Sequence, residues 1–287
     1  MDIFTGRSTQ QHRTYSPVLN TIRMMMNSSI RTLLSRIPAL LYFARGRAMM
    51  QDAEYSRVQA LTARETAKSP SRTSILNYLL SLFGRETWYL EIGTRNPEDN
   101  FRHIQAHKKF SVDPGVEFSA NPVDFPMTSD EFFSRLEHHA LLPSDTRFDV
   151  IFIDGLHLAE QVDRDIENAL RWIRDDGFIV LHDCNPPGEW HARENYTYSH
   201  TPARGMWNGT TWKAFYRRRL QKDLYSCCID TDWGVGVIQK THNIGEHAEN
   251  ENPFFEFHVL DAHRAKHLNL VSFEGFVTRI EKCFSSR

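Results

Sequence analysis

The stretch WYLEIGTRNPEDNFRHIQAHKKFSVD, residues 88–113, reads as strand, tight turn, helix and strand, with an acid near the end of each strand. Trp88, Tyr89, Leu90 and Ile92 form a short apolar run of strand-favouring residues that stops at Gly93, where the backbone carries no side chain and a ligand can come close. Asn96, Pro97, Glu98 and Asp99 predict a helix start: a capping amide, a proline whose missing N–H costs nothing there, and acids against the positive helix end. Free amides at such an end suit a carboxylate or a phosphate. The second strand, Phe110 to Val112, ends in Asp113, 20 residues beyond Gly93, where an acid can accept both hydroxyls of a ribose. Charge-assisted hydrogen bonds of that kind contribute roughly 1.5–3 kcal/mol each.

The loop discriminates between cofactors. A dinucleotide fingerprint needs G-x-G-x-x-G, but Gly93 is followed by Thr94, Arg95, Asn96 and Pro97. Glu91 would put a negative charge beside a pyrophosphate, whereas a ligand with an amine would welcome it. S-adenosylmethionine carries both an amine and a ribose. On these residues the chain resembles the class I S-adenosylmethionine-dependent methyltransferases, whose first motif is a strand ending E-x-G followed by an acid closing the second strand.

The next strands extend the pattern. Phe148 to Ile153 is a continuous apolar run, fit for a strand covered on both faces, and ends in Asp154-Gly155-Leu156-His157. Val162, Ile166, Ala169, Leu170 and Ile173 recur at helical spacing until Asp175-Asp176-Gly177. Phe178 to Leu181 is another strand, ending in His182-Asp183-Cys184-Asn185. Ligands of open parallel sheets bind beyond the carboxyl ends of the strands, so Glu91, Asp113, Asp154, His157, His182, Asp183 and Asn185 are expected to converge on one crevice. I-D-G-x-H, followed by H-D after an apolar strand, is similar to the methyltransferase family 24 branch of class I over about residues 86–240. The resemblance implies an α/β, Rossmann-like class I methyltransferase fold: a mostly parallel seven-stranded sheet with helices on both faces and a C-terminal antiparallel hairpin. Helical N- and C-terminal extensions are expected around it.

After Asn185 the periodicity stops. Pro186 to Trp212, with Trp190, Tyr196, Tyr198, Trp207 and several histidines, reads as a long loop whose aromatics either stack on an acceptor or seal the loop onto the sheet. Thr210 to Leu220 is a helix with a basic end, its arginines set against the C-terminal dipole. Leu224 to Ile229 and Val235 to Gln239 make the closing hairpin.

Composition sets the outer limits. With 40% hydrophobic and 24% charged residues, the 287-residue chain belongs with ordinary globular proteins, and a net charge of −2 argues against an obligatory nucleic-acid partner. The charge is uneven: residues 1–50 hold seven arginines and one acid, a net +6, against −8 for the remainder. Leu33 to Ala44 is apolar but broken by Arg36 and Pro38, too short to span a bilayer. Three readings of the arm stand open: peripheral contact with a membrane or partner, a transit-type presequence for an organelle, or an extension without fixed structure. The expected organisation is a basic extension and linker (1–72), a cofactor-binding domain (73–240) and a helical appendage (241–287). Cys184, Cys227, Cys228 and Cys283 have neither C-x-x-C spacing nor a disulfide framework, so a reducing, cytoplasmic interior is expected and a zinc site is not. Oligomeric state is not legible.

Methyl transfer is an in-line displacement at a sulfonium, so the protein must position both reactants and deal with the acceptor's proton. Glu91 and Gly93 are expected at the methionine part of S-adenosylmethionine, Asp113 at the ribose, and Ser129 and Asp130, opening a helix after a third strand, beside the adenine, with Asn96 also among the cofactor-binding residues. Asp154 belongs either to the cofactor pocket or to a metal. Two catalytic devices fit. In one, His157 or His182 is the general base, oriented by Asp154 or Asp183. In the other, Asp154 and Asp183, with Asn185 as third ligand, hold Mg²⁺, as catechol and macrolide sugar O-methyltransferases hold theirs at the ends of the same two strands. The acceptor implied is a hydroxyl on a small molecule or glycan. Two further classes share these features: a nucleotide-dependent oxidoreductase, against which the missing glycines count, and a metal-dependent enzyme or binding module without methyl transfer.

Overall fold

The apolar runs become the strands of a seven-stranded sheet in the order β2-β1-β3-β4-β6-β5-β7. The computed structural model describes residues 37–284, so the basic arm over residues 1–36 lies outside the described residues. β1 (Trp88–Ile92), β2 (Lys108–Val112), β3 (Phe148–Ile153) and β4 (Ile173–Leu181) are parallel. Their register pairs Ile92 with Val112 and Ile153, and Ile153 with Leu181. All four strands therefore end level, and Gly93, Asp113, Asp154 and His182 leave the sheet along one edge. β5 (Tyr225–Ile229) and β6 (Val235–Gln239) form the antiparallel hairpin, with β6 paired to β4.

Helices cover both faces, as a strand buried at every position such as β3 requires. On one face α3 (Arg72–Ser81), capped by the Ser71 side chain, packs Ile75, Leu76 and Leu79 against Val150, Phe152 and Phe178. The other is covered by α4 (Ser129–Glu137), α5 (Ala159–Trp172) and α6 (Thr211–Arg219), with Val162, Ile166 and Ala169 forming the buried stripe of α5. Full burial of each large apolar side chain contributes roughly 1.5–3 kcal/mol. The α6 arginines do more than face a dipole: Arg217 and Arg218 pair with Asp163, and buried Arg219 donates to the carbonyls of Ser226 and His267.

Two connections differ from the sequence reading. The helix start expected at Asn96 is a pair of 3-10 turns, Pro97–Asp99 and Phe101–His103. Asn100, between them, adopts φ −152° and ψ −57°, which carries its side chain inward to Glu91 and ends helical propagation. The strand expected before Ser129 is reduced to one bridge, Val112 to Phe125. The seventh strand comes instead from the tail, where α7 (Phe257–Leu268) ends in left-handed Asn269. There β7 (Leu270–Val271) pairs with β5, and α8 (Phe273–Phe284) buries Phe276 and Ile280 beside α3.

The chain falls into two units, one ending at Tyr55 and one beginning at Ser56. In the first, α1 (Pro38–Met50) carries Arg45 and Arg47, no acid and no buried side chain. α2 spans Ala53–Thr66. Among the described residues no helix is long and apolar enough to cross a membrane.

Candidate functional site

The ends of β3 and β4 bring four of the expected residues together. His157 places Nδ1 3.0 Å from Asp183 Oδ2 and Nε2 3.2 Å from Asp154 Oδ1. His182 places Nδ1 3.1 Å from the same Asp154 oxygen and 3.4 Å from Asp183 Oδ2. Asp183 adopts φ +61°, a left-handed turn that swings its carboxylate back between the two rings. The Asn208 amide donates to its other oxygen at 2.6 Å.

Sequence reasoning missed two members of this cluster. Asp232 Oδ1 lies 3.2 Å from His182 Nε2, while its Oδ2 accepts from the backbone N–H of Arg72 at 2.6 Å. It sits in the β5–β6 turn, where Asp232, Trp233 and Gly234 have φ of 44°, 64° and 89°. Two consecutive non-glycine residues in the left-handed region mark a turn that its surroundings must hold in place. Arg72, at the start of α3, approaches Asp154 at 3.7 Å and Asp232 at 3.5 Å. The D-T-D-W-G turn was the available signal for Asp232; nothing local marks Arg72, which the docking of α3 delivers.

Burial opposes charge on both imidazoles, but the facing carboxylates outweigh it: His157 is pushed up to about 10 and His182 well above its usual range. Burial likewise opposes ionisation of the carboxylates and is outweighed by the rings, which hold Asp183 at about 2 and Asp154 below the normal range. The cluster pairs imidazolium with carboxylate groups. With the carboxylates facing them, both rings are held toward the protonated form.

Asn185 is not brought to this group. Its amide donates to Asp230 at 2.9 Å and its carbonyl oxygen accepts from Arg264 at 2.5 Å, because the close approach of Gly234 turns it away from the crevice. The ligand atoms that do gather are one each from Asp154, His182 and Asp183, all within 4.8 Å of one another. This donor set fits a divalent cation, with a ring nitrogen where an amide oxygen is expected.

The β1 and β2 ends are built differently. Glu91, 2% exposed, accepts from Tyr89 Oη at 2.5 Å and Asn100 Nδ2 at 2.7 Å, and burial pushes it up to about 7. It does not face open space. Gly93, at φ +84°, has its open side against Asp154 O and Gly155 Cα, so its missing side chain makes room for the neighbouring turn. Asp113 accepts from the backbone N–H groups of Arg95 at 2.8 Å and Gly115 at 2.7 Å, one on each oxygen. A second lone pair on each remains, so the carboxylate still fits a ribose diol. Asn96 caps the first 3-10 turn through Glu98 N–H. Ser129 and Asp130 are tied by hydrogen bonds to Gln161 of α5, at 3.2 Å each.

The long loop folds over the β3–β4 cluster. Trp207 stacks on His157 with 5.4 Å between ring centres, Tyr196 lies 5.2 Å from Trp207, and the Thr210 amide donates to His157 O at 2.7 Å. Trp207 thus seals the loop onto the site, while Tyr196 and Tyr198 remain exposed. A shallow groove among Arg85, Arg147 and Arg174 lies at the amino ends of β1 and β4; its cations are engaged by Asp149, Asp176 and the Trp172 ring.

No curated protein sequence matches the chain. An O-methyltransferase from Bacillus cereus in complex with S-adenosylhomocysteine is 18% identical, with a TM-score of 0.38 over 66% of this chain and 90% of that one. A putative O-methyltransferase from Klebsiella pneumoniae is 15% identical, with a TM-score of 0.41 over 72% and 99%. The O-methyltransferase TomG from Streptomyces achromogenes, in complex with S-adenosylmethionine, is 15% identical, with a TM-score of 0.40 over 67% and 91%. The family model for the methyltransferase domain of methyltransferase family 24 matches residues 50–184, which span β1 to the end of β4 and every member of the histidine–aspartate cluster except Asp232. Residues 50–184, somewhat less than half of the chain, are thus similar to the methyltransferase domain of family 24.

Proposed function

We propose that the protein is an S-adenosylmethionine-dependent O-methyltransferase whose acceptor is a hydroxyl of a small molecule or glycan. The observation that carries this reading is the convergence of Asp154, His157, His182 and Asp183 beyond the β3 and β4 ends, inside a methyltransferase-family domain. In the division of labour this implies, Asp113 holds the cofactor ribose and the Gly93–Asn96 loop its methionine end. His157, beneath the folded loop, meets the acceptor; when the facing carboxylates are otherwise engaged its pKa falls, it gives its own proton to solvent, and the neutral ring takes the acceptor's proton. A divalent cation held by Asp154, Asp183 and His182 would lower the acceptor hydroxyl's pKa and fix its position.

The test is calorimetric titration with S-adenosylhomocysteine. Wild type is expected to bind in the micromolar range, and Asp113→Ala to bind roughly 10–100-fold more weakly, the worth of one or two charge-assisted hydrogen bonds. A folded wild type that does not bind would sink the reading.

A second reading keeps the cluster without methyl transfer, as a metal-dependent enzyme or binding module. Two observations favour it: both Asp113 oxygens already serve backbone amides, and no α-helix follows the Gly93 loop. The same titration separates the two.

A further inference from the structure

The residues at the β4 end differ from an all-oxygen magnesium set in a specific way. Asn185 is held outside by Asp230 and Arg264, and His182, 7% exposed, takes the third position beside Asp154 and Asp183. We propose that Asp154, Asp183 and His182 Nδ1 form a metal centre built for a first-row transition ion rather than Mg²⁺, with Asp232 as the carboxylate that orients its histidine. The proposal deepens the methyltransferase reading and rests on it for the purpose of the ion, though not for the geometry.

Both separations from the histidine nitrogen fit a coordination shell, and all three donor atoms lie within 4.8 Å of one another. Donors at ~2.0–2.2 Å from a common ion lie about 2.9–3.6 Å apart, depending on geometry. His182 Nδ1 is 3.1 Å from Asp154 Oδ1 and 3.4 Å from Asp183 Oδ2. An imidazole in the first shell suits the Mn²⁺-to-Zn²⁺ series, whereas Mg²⁺ keeps to oxygen and water. The other ring nitrogen must then be held as a donor. His182 Nε2 faces Asp232 Oδ1 at 3.2 Å, the carboxylate–histidine arrangement that fixes the tautomer and strengthens the ligand. Asp232 is itself anchored by the Arg72 backbone N–H, and its turn stays in the left-handed region. That turn is accounted for if it exists to aim this carboxylate.

The full chain, stripped with chelator, is titrated separately with Mn²⁺ and Mg²⁺ by calorimetry, and the Mn²⁺ form is examined by electron spin echo for coupling to an imidazole nitrogen. One Mn²⁺ per chain is expected, at least ~10-fold tighter than Mg²⁺, with nitrogen coupling present. His182→Asp, an all-oxygen site, should lose the coupling and narrow the preference for Mn²⁺. Asp232→Asn should weaken Mn²⁺ binding ~10–100-fold with an unchanged far-ultraviolet spectrum. Equal affinity for the two ions in wild type, Mn²⁺ bound without nitrogen coupling, or no ion bound would each overturn the proposal, whatever the variants do. S-adenosylhomocysteine binding measured in parallel keeps the two ideas apart: cofactor binding without an ion overturns only the metal centre, and an ion without cofactor binding sinks only methyl transfer.

Discussion

The two halves of the carboxyl edge use their polar residues in opposite ways. At β3 and β4, Asp154, His157, His182 and Asp183 face one another, and His182 also faces Asp232. At β1 and β2, Glu91 is buried under Tyr89 and Asn100, and Asp113 holds the amides of Arg95 and Gly115, so side chains there shape backbone. The first half depends on side-chain identity and charge, the second on conformation. Acids at strand ends are alike in sequence, yet some face histidines and others hold backbone amides or lie buried under neighbouring side chains.

The largest effect that would sharpen this contrast is on the conformational side. Gly93→Ala drives a methyl group into the Asp154–Gly155 backbone at positive φ, and should cost roughly 3–5 kcal/mol in urea unfolding. An effect below about 1 kcal/mol would mean that the β1 turn is not held against β3 as described.

On the charged side the expected effect is intermediate and depends on pH. The raised pKa of His157 contributes stability that is fully present below 6.5 and is lost as pH rises through about 10. The depressed pKa of Asp183 contributes stability present above 3.8 and lost as pH falls through about 2. The urea midpoint should therefore decline between pH 6.5 and 10 in wild type and decline less steeply in His157→Gln. Parallel profiles for the two proteins would contradict the imidazolium–carboxylate pairing. The smallest effect is expected at Arg95, at φ +50° with its side chain largely exposed. Arg95→Gly should leave stability within about 1 kcal/mol of wild type, because relief of strain offsets lost entropy and the exposed pair with Asp99 contributes little.

The sheet was legible because strand signals are local. Continuous apolar runs at Phe148–Ile153 and Phe178–Leu181, each closed by polar residues, announce buried parallel strands without reference to the rest of the chain. The crossovers were less legible. Asn96-Pro97 carries every mark of a helix start, but the tertiary demand for Asn100 at Glu91 overrides it. Ser129 and Asp130 do open a helix, yet they serve α5.

For the site, the sequence alone determined which residues emerge at the strand ends, since a strand's last residue and the turn after it are set by neighbours along the chain. It could not determine which of those residues face one another. Asn185 and His182 are three positions apart, and the close approach of Gly234 and the reach of Arg264 decide that the histidine enters the cluster while the amide leaves it. Asp232 and Arg72 come from segments far apart in sequence and meet only because α3 and the β5–β6 turn pack beside the same sheet edge. Backbone propensity is a property of short segments, whereas the convergence of charges is a property of packing.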